Sequence, residues 1–304
     1  MDYTTLIIGP GGNKGYVELG SLFYCEMSGY LKNIKYVAGV SVGSIIGLLL
    51  VCGYTVMEIV AKAYQTSLLD FKNLLPLQEI IGKQGIFCQK TFEESLTNII
   101  TEKMGYVPSL LELYQKTNIE FMAVTTRLDT PAATPCYLSH DNYPDLSCIQ
   151  ACLMSSNIPG IFSKLVYENK EYLDGGLTNP YPIDQYSHRV PDDENIIGIT
   201  INAYSSNSNF IDYMYQAIQT PMHQIKERIK NSHDKPNMVH VEINIEMSNP
   251  STLNIDDEDR QFMFTKGFLI TKSIFGKLDI DRSVNSFLVL NDDTEPTYDN
   301  QNNN

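Results

Sequence analysis

Positive charge is scarce in this sequence. Among its 304 residues, 22 Lys and Arg stand against 36 Asp and Glu, which gives a net charge of −14. A surface of that sign repels the phosphate backbone, so we expect no nucleic-acid partner. It also argues against long-range attraction to anionic membranes, and any peripheral membrane contact would have to be apolar or locally basic.

The cysteines lack the spacing of a metal site. No two of them form a C-x-x-C pair, and the six stand at Cys25, Cys52, Cys88, Cys136, Cys148 and Cys152. We therefore expect buried free thiols in a reducing compartment, and neither a metal nor another cofactor.

Targeting and membrane-spanning signals are also missing. The first nine residues, MDYTTLIIG, lack the basic start and long apolar core of a signal peptide. Residues 36–54 carry no charge and are long enough to span a bilayer. Their strand-forming start and central Gly and Ser residues instead favour two short buried elements joined by a sharp turn. We expect a cytoplasmic protein without a transmembrane helix, in contact with membranes at most peripherally.

The hydrophobic pattern predicts an α/β fold with a mostly parallel central sheet flanked by helices. The chain opens as strand, glycine loop, helix, strand, sharp turn and helix, which is the alternation of such a sheet. Strands are predicted at 4–8, 37–40, 119–126, 135–139, 171–173, 196–202 and 238–245. Helices are predicted at 15–29, 42–51, 91–104, 108–116, 145–155, 210–231 and 260–275. No linker interrupts them, so we expect one domain over residues 1–290, followed by an acidic, Asn-rich disordered tail at 291–304.

Two helix starts are predicted from local signals. Thr91 followed by Glu94 has the spacing of a capping box. Pro108 suits the first turn of the next helix, because its missing N–H would have no partner there.

A G-x-S-x-G pattern follows the second predicted strand. Gly39 and Gly43 flank Ser41, and such glycines allow a tight strand-to-helix turn from which the serine projects. The amide dipoles of the following helix favour developing negative charge. Ser41 is therefore a candidate nucleophile, and the alternative is a glycine-eased core turn with a satisfied serine.

A glycine loop joins the first strand to the first helix, from Gly9 to Gly15. A P-loop needs Ser or Thr after its lysine, and Gly15 stands there after Lys14. The dinucleotide pattern G-x-G-x-x-G fails narrowly, because counting from Gly9 places Lys14 where glycine is required.

An oxyanion hole is the remaining functional interpretation of this loop, beside a purely structural turn. Amides at a helix N-terminus can be aimed at an anionic oxygen. Pro10 has no N–H, so the donors would be Gly11, Gly12 and Asn13. Lys14 would steady the loop or add positive charge.

Asp174 precedes Gly175 and Gly176 after a strand-like segment. A carboxylate on such a turn can face a cleft and act as a general base, although Asp-Gly turns are common without any such role. A Ser-His-Asp site would need a histidine instead, and the four that follow Asp174 have no supporting motif. They are His188, His223, His233 and His240.

These motifs resemble those of the patatin-like phospholipases, acyl hydrolases with a Ser-Asp dyad. The glycine loop resembles their G-G-G-x-R/K-G motif, with Pro10 replacing one glycine and Lys14 standing where arginine is more frequent. Residues 151–162 (ACLMSSNIPGIF) and 176–182 (GLTNPYP) resemble the segments around the dyad aspartate. The resemblance covers residues 5–202 and implies a patatin-like three-layer fold.

The resemblance implies that Ser41 is the nucleophile and Asp174 its proton acceptor. Gly11, Gly12 and Asn13 would supply the oxyanion amides, no metal would be needed, and the partner would be a phospholipid or another acyl-lipid substrate. The apolar residues 68–87 would line an acyl pocket, touch a bilayer or pack in the core. Alternatives are an esterase or thioesterase acting on soluble substrates, a silent lipid-binding protein on the same fold, and a nucleotide-binding protein.

Overall fold

The computed structural model describes residues 2–66, 85–87, 89–128, 132–187, 189–191, 194–204, 210–246 and 255–292. Most of the apolar segment 68–87 and nearly all of the expected tail at 291–304 therefore lie outside the described residues. The division into one domain and a tail stays a prediction.

Ten strands lie in the described residues. They are β1 (Tyr3–Ile8), β2 (Tyr36–Val40), β3 (Gly85–Phe87), β4 (Glu120–Leu128), β5 (Ala133–Leu138), β6 (Gly160–Phe162), β7 (Leu165–Tyr167), β8 (Lys170–Asp174), β9 (Asn195–Tyr204) and β10 (Met238–Glu246). The main sheet has the order β10-β9-β1-β2-β4-β8-β7, and β5 also pairs with β4. The first five strands of this order run parallel, while β5, β7 and β8 add antiparallel pairs. The sheet is thus mixed, and the predicted α/β class is confirmed.

Eight α-helices accompany these strands. They are α1 (Gly15–Met27), α2 (Val42–Val51), α3 (Val56–Thr66), α4 (Lys90–Met104), α5 (Leu110–Thr117), α6 (Cys148–Ser155), α7 (Phe210–His233) and α8 (Asp257–Asp292). None of the described helices is long and apolar enough to cross a bilayer. The uncharged residues 36–54 instead form β2 and α2, as predicted.

The side chains of β1 show how the sheet divides two cores. Leu6 and Ile8 face the larger core, which is built with α1, α2, α6 and α8. Ile7 faces the smaller core, where Ile183 and Ile229 cover the opposite side of the sheet. Alternate side chains of a strand point to opposite faces, so packing on both faces of the sheet explains why this strand is buried throughout.

Both predicted helix starts are wrong in detail. The backbone is already helical at Gln89, so α4 begins before Thr91, and no side chain caps it. The capping box lies at α5, where Ser109 and Glu112 bond each other's backbone N–H. Pro108 precedes this helix, because its carbonyl accepts a hydrogen bond from the Cys148 N–H at 3.1 Å and holds the segment extended.

Candidate active site

Ser41 lies on a strained elbow between β2 and α2. Its φ of 56° and ψ of −130° are unusual for a residue with a side chain, and its accessible surface is 3%. A Cβ at Gly39 would overlap the backbone of Ser44, and one at Gly43 would overlap the carbonyl of Gly9. Only glycines let the helix turn back so close to the strand, which forces the serine to the end of the sheet.

Strand register brings Ser41 and Asp174 together. Val40, the last residue of β2, pairs with Val124 of β4, and Asp174, the last residue of β8, pairs with Thr125. Both strands lie on the same side of β4, because β5 occupies the other side along these residues. β2 runs parallel to β4 and β8 runs antiparallel to it, so the two strands run toward each other. Their C-terminal ends therefore meet beside Val124 and Thr125 of β4.

The Asp174 carboxyl accepts a hydrogen bond from the Gly176 N–H at 2.8 Å, and the Ser41 hydroxyl lies close enough to this carboxyl to lower its pKa through hydrogen bonding. The side chain is buried. Loss of hydration disfavours the carboxylate and raises its pKa to about 6, although both hydrogen bonds act in the opposite direction. The carboxyl is therefore ionised at neutral pH and close enough to accept the serine proton.

The backbone of Asp174 is held as firmly as its side chain. Its N–H donates to the Asn157 carbonyl at 2.8 Å, and its carbonyl accepts the Thr126 hydroxyl at 2.8 Å. A Cβ at Gly175 would overlap the Val124 carbonyl, so glycine is needed for the turn to lie against β4. The carboxyl is thus positioned by the sheet and not by a free loop.

The glycine loop reaches the same end of the sheet. Gly12–Lys14 forms a short 3-10 helix before α1, with Gly12 at a φ of 55°. Within the described part of the chain, the N–H groups of Gly11 and Gly12 donate to no backbone acceptor. Two N–H groups of the loop are thus without a backbone acceptor among the described residues.

Close packing holds this loop beside the elbow. The Gly9 N–H donates to the Ile199 carbonyl at 2.9 Å. A Cβ at Gly15 would lie 3.1 Å from the Val42 side chain at the start of α2. Asn13 and Lys14 are buried, so Lys14 forms part of the packed base of the loop.

Residues 151–162 contribute a contact whose role the sequence did not specify. The Ser155 hydroxyl accepts the Ser41 N–H at 2.9 Å and so holds the strained elbow. The Asn157 side chain donates to the Tyr172 carbonyl at 2.7 Å, which fixes the end of β8. The Ser-Ser-Asn run within this segment was the available signal, but only the fold shows which atoms it holds.

No described histidine bonds to Ser41 or Asp174. His240 bonds the Tyr181 hydroxyl at 2.7 Å and Asp234 at 2.8 Å, and His233 bonds the Ile229 carbonyl. The other two described histidines are placed elsewhere: His140 stacks on Tyr114, and His223 lines a pocket between β9 and α7. His188 lies outside the described residues. A carboxylate is thus the only described titratable partner of the serine.

One acidic cluster in the described residues has metal-ligand geometry. Glu120, His140 and Asp141 bring one ligand atom each within 4.8 Å of the others. Arg189 already donates to both oxygens of Glu120, at 2.9 and 3.1 Å. Glu120 also begins β4, whereas Ser41 and Asp174 meet near its middle, so this cluster plays no part in their site.

The fold and the site together define the class of protein. A serine on a strand–helix elbow, close to a buried carboxyl and to backbone N–H groups without a backbone acceptor, is the arrangement of a hydrolase built on an α/β sheet. The sequence model of the patatin-like phospholipases matches residues 6–186, more than half of the chain. The protein belongs to the patatin-like phospholipase family.

Two curated viral proteins are similar to the chain. A probable lipid hydrolase of Invertebrate iridescent virus 6 is 28% identical over 193 residues, covering 60% of this chain and 62% of the relative. The match thus spans less than two thirds of that relative's length. An uncharacterised protein of Acanthamoeba polyphaga mimivirus is 26% identical over 288 residues, covering 90% of this chain and 94% of the relative.

Two solved structures share the fold. VipD from Legionella pneumophila aligns with a TM-score of 0.53 at 14% identity, covering 91% of this chain and 67% of that one. The type III effector ExoU of Pseudomonas aeruginosa aligns with a TM-score of 0.52 at 12% identity, covering 91% and 53%. At such identities the likeness shows the fold alone, and it confirms the patatin-like architecture.

Proposed function

We propose that the protein is a lipid acyl hydrolase of the phospholipase A type. It cleaves fatty-acyl esters of phospholipids through an acyl-enzyme on Ser41, with Asp174 as general base. The observation that carries this proposal is the proximity of the Ser41 hydroxyl to the buried Asp174 carboxyl, where β2 and β8 end beside neighbouring residues of β4. Family membership and the likeness to a viral probable lipid hydrolase support a lipid substrate.

The first half of the reaction forms the acyl-enzyme. Ser41 Oγ attacks the ester carbonyl as Asp174 takes the hydroxyl proton. The bond between the carbonyl carbon and the alcohol oxygen then breaks, and the departing alcohol receives the proton from Asp174. In the second half, water attacks the acyl-enzyme, gives its proton to Asp174, and releases the fatty acid as Ser41 regains a proton.

The buried setting makes a carboxylate an adequate base. An exposed aspartate would be too weak a base for a serine hydroxyl, whereas desolvation brings the pKa of Asp174 to about 6. The N–H groups of Gly11, Gly12 and Asn13 stabilise the oxyanion, at a contribution of roughly 3 kcal/mol per strong donor. The positive end of α2 adds to this field.

The protein would work in the cytoplasm and meet its lipid through peripheral contact. Its net charge of −14 opposes attraction to anionic surfaces. Contact would therefore depend on apolar or local interactions and not on a basic face.

A fluorophosphonate probe tests the nucleophile. We expect intact mass spectrometry to show one adduct on the wild type, none on Ser41→Ala and much less on Asp174→Asn. Ser163→Ala is the matched control, since this serine lies outside the proposed dyad, and it should be labelled like the wild type. A folded wild type that stays unlabelled and fails to hydrolyse phospholipid vesicles would instead indicate a silent lipid-binding protein.

Substrate profiling tests the lipid assignment. We expect faster turnover of phospholipid than of a water-soluble p-nitrophenyl ester or an acyl thioester. The reverse order would make the protein a soluble-substrate esterase or thioesterase with the same dyad.

A further inference from the structure

A pocket of about 270 Å³ lies beside Pro10 of the glycine loop. Its floor is the end of β9, and one wall is the middle of α7. Among the residues that line it are Pro10, Asn202, Gln219, Met222, Gln224 and Lys226. The family match ends at residue 186, so most of this lining belongs to a part of the chain outside that match.

The pocket adjoins both halves of the proposed active site. Pro10 is bonded directly to Gly11, the first of the proposed oxyanion donors. Met222 lies against Gly176, because a Cβ on this glycine would overlap the methionine methyl group. The Gly176 N–H in turn donates to the Asp174 carboxyl. A molecule in the pocket would therefore lie next to the reacting ester.

The chemistry of the lining suits an anion. Among the described lining residues there is no Asp or Glu, although the chain has 36 acidic residues. Lys226 brings an ammonium with only 4% exposed surface, which bonds the Asn202 side chain at 2.6 Å and Glu227 at 3.2 Å. Two amides, Gln219 and Gln224, supply further N–H donors.

A lysine is costly to bury, and Lys226 is compensated by Asn202, by Glu227 and by Glu242, whose pKa its charge helps to lower. Glu227 is partly exposed, so water screens the attraction between its carboxylate and the Lys226 ammonium. An ammonium has three donor hydrogens, and the Asn202 and Glu227 oxygens accept two. The described residues therefore leave at least one donor hydrogen of Lys226 unbonded, and Lys226 lines the same pocket as Gln219 and Gln224.

We propose that this pocket binds the phosphate-bearing head group of the lipid substrate, with Lys226 as its charged contact. The inference deepens and rests on the proposed function. In a glycerophospholipid, the glycerol backbone joins the phosphate to the scissile ester, so the head-group site must begin beside the oxyanion loop. A pocket that starts at Pro10 meets this requirement.

Matched substrates test the proposal. Both substrates carry a hexanoyl ester, and only dihexanoyl phosphatidylcholine carries a phosphate. The ratio of its kcat/KM to that of p-nitrophenyl hexanoate therefore reports how much the phosphate-bearing head group contributes to turnover. We expect Lys226→Met to lower this ratio about tenfold or more, because it removes a charge-assisted contact. Lys230→Met is the control on the same helix: Lys230 pairs with Glu242 at 2.6 Å and does not line the pocket, so its ratio should match the wild type.

A second variant guards against misfolding of the first. Gln219→Glu places a carboxylate on the half-buried wall without removing Lys226, and it should lower the same ratio by repelling phosphate. An equal loss on both substrates, or an unchanged ratio in both variants, would overturn the proposal.

Binding without turnover separates this inference from the proposed function. Glycerophosphocholine and inorganic phosphate are titrated calorimetrically into Ser41→Ala, alone and combined with Lys226→Met or Lys230→Met. Glycerophosphocholine should bind, about tenfold more weakly with Lys226→Met and equally well with Lys230→Met. Absence of binding to the folded protein, or binding of inorganic phosphate that glycerophosphocholine does not displace, would refute a head-group site. If the wild type shows no esterase activity, the proposed function fails. The titration still shows whether the pocket binds a phosphate-bearing head group.

Discussion

At the scale of single residues, the candidate site contains two conformations or environments that are unfavourable in free energy. Ser41 holds a positive φ, and Asp174 keeps a carboxyl away from water. Each state lowers the free energy of unfolding, and the surrounding hydrogen bonds maintain it. Such strain is useful where it aims a nucleophile at a base.

The pKa of Asp174 predicts the pH dependence of turnover. In the proposed mechanism the carboxylate is the active form, and the pKa of Asp174 is about 6. We expect kcat/KM for a neutral ester to rise with pH and to reach half its plateau near pH 6. A pH profile from 4.5 to 8.5 measures this, and an inflection near pH 4 would mean that Asp174 is hydrated and not buried during catalysis.

The same pKa predicts that Asp174→Asn stabilises the fold while abolishing turnover. The folded pKa, about 6, exceeds the reference value of 3.8, so the folded state loses stability as pH rises from about 4 to 6. Above pH 6 the buried charge costs on the order of 3 kcal/mol, which asparagine avoids. Thermal melts at pH 4 and pH 8 should show a higher Tm for the variant only at pH 8. A variant that melts lower at pH 8 would contradict this account.

Glu18 offers a second test of buried charge outside the dyad. Its carboxyl is fully buried on α1, close to Gly11, and neither oxygen has a hydrogen-bond partner. Burial raises the pKa of Glu18 well above the reference value, so this group makes folding less favourable as pH rises above about 4.5. Glu18→Gln should therefore melt near the wild type at pH 4.5 and clearly above it at pH 8. A difference in Tm that does not change with pH would show that Glu18 has a partner.

At the scale of elements, the site depends on how closely α2 approaches the ends of β1 and β2. Gly39 and Gly43 allow that approach, and Ser155 of α6 accepts the N–H of the strained serine. Four elements, β1, β2, α2 and α6, thus pack together at the elbow. A change at either glycine should propagate to the nucleophile.

Gly43→Ala tests this packing. The added methyl group meets the carbonyls of Ile8 and Gly9, which belong to the rigid end of β1. We expect a loss of about 3 kcal/mol in the free energy of unfolding and a loss of turnover. Gly276→Ala on α8 is the matched control, because its methyl group would have nothing within 4 Å, and it should be neutral or stabilising. Equal chemical denaturation midpoints for the two variants would contradict the close packing of the elbow.

At the scale of the whole molecule, the sheet is completed by strands that lie beyond the family match. β1 pairs with β2 on one side and with β9 on the other, and β9 in turn pairs with β10. α8 packs across α1, where Gly20 and Gly267 allow backbone contact. The matched residues 6–186 therefore form only part of a continuous core.

A fragment of residues 1–190 tests this dependence. Without β9, β10 and α8, the strand that precedes the glycine loop becomes an edge, and the larger core loses one wall. We expect no cooperative thermal transition in circular dichroism and strong binding of a hydrophobic dye, in contrast to the full chain. Cooperative melting of the fragment would show that the matched region is an independent domain.

Sequence patterns located most elements because their periodicity reflects burial. β1 and α2 are rich in apolar residues and have glycines near their ends, and both lie where they were predicted. Helix starts were less accurate, since the start of α5 depends on a backbone bond between Pro108 and Cys148, far apart in the chain. The pattern likewise predicted α8 only over 260–275, and the helix extends from Asp257 to Asp292.

The candidate dyad was predicted from motifs, whereas its geometry was not. Ser41 and Asp174 are separated by more than 130 residues, and no local pattern measures the distance between them. Their roles stay predictions that the labelling and pH experiments test. The pocket at Lys226 had no sequence signal, because its lining comes from the glycine loop, β9 and α7.

The sequence by itself determined the α/β class, the family and the residue types able to carry acyl transfer, because hydrophobic period and glycine punctuation are local properties. Only the tertiary structure decided that β2 and β8 end against neighbouring residues of β4, which joins a serine to a carboxyl. It also decided the desolvation that raises the pKa of Asp174 and the position of Lys226 in a pocket that includes Pro10 of the glycine loop. Distance and burial arise from packing between segments remote in the chain, so they appear only when the chain is folded.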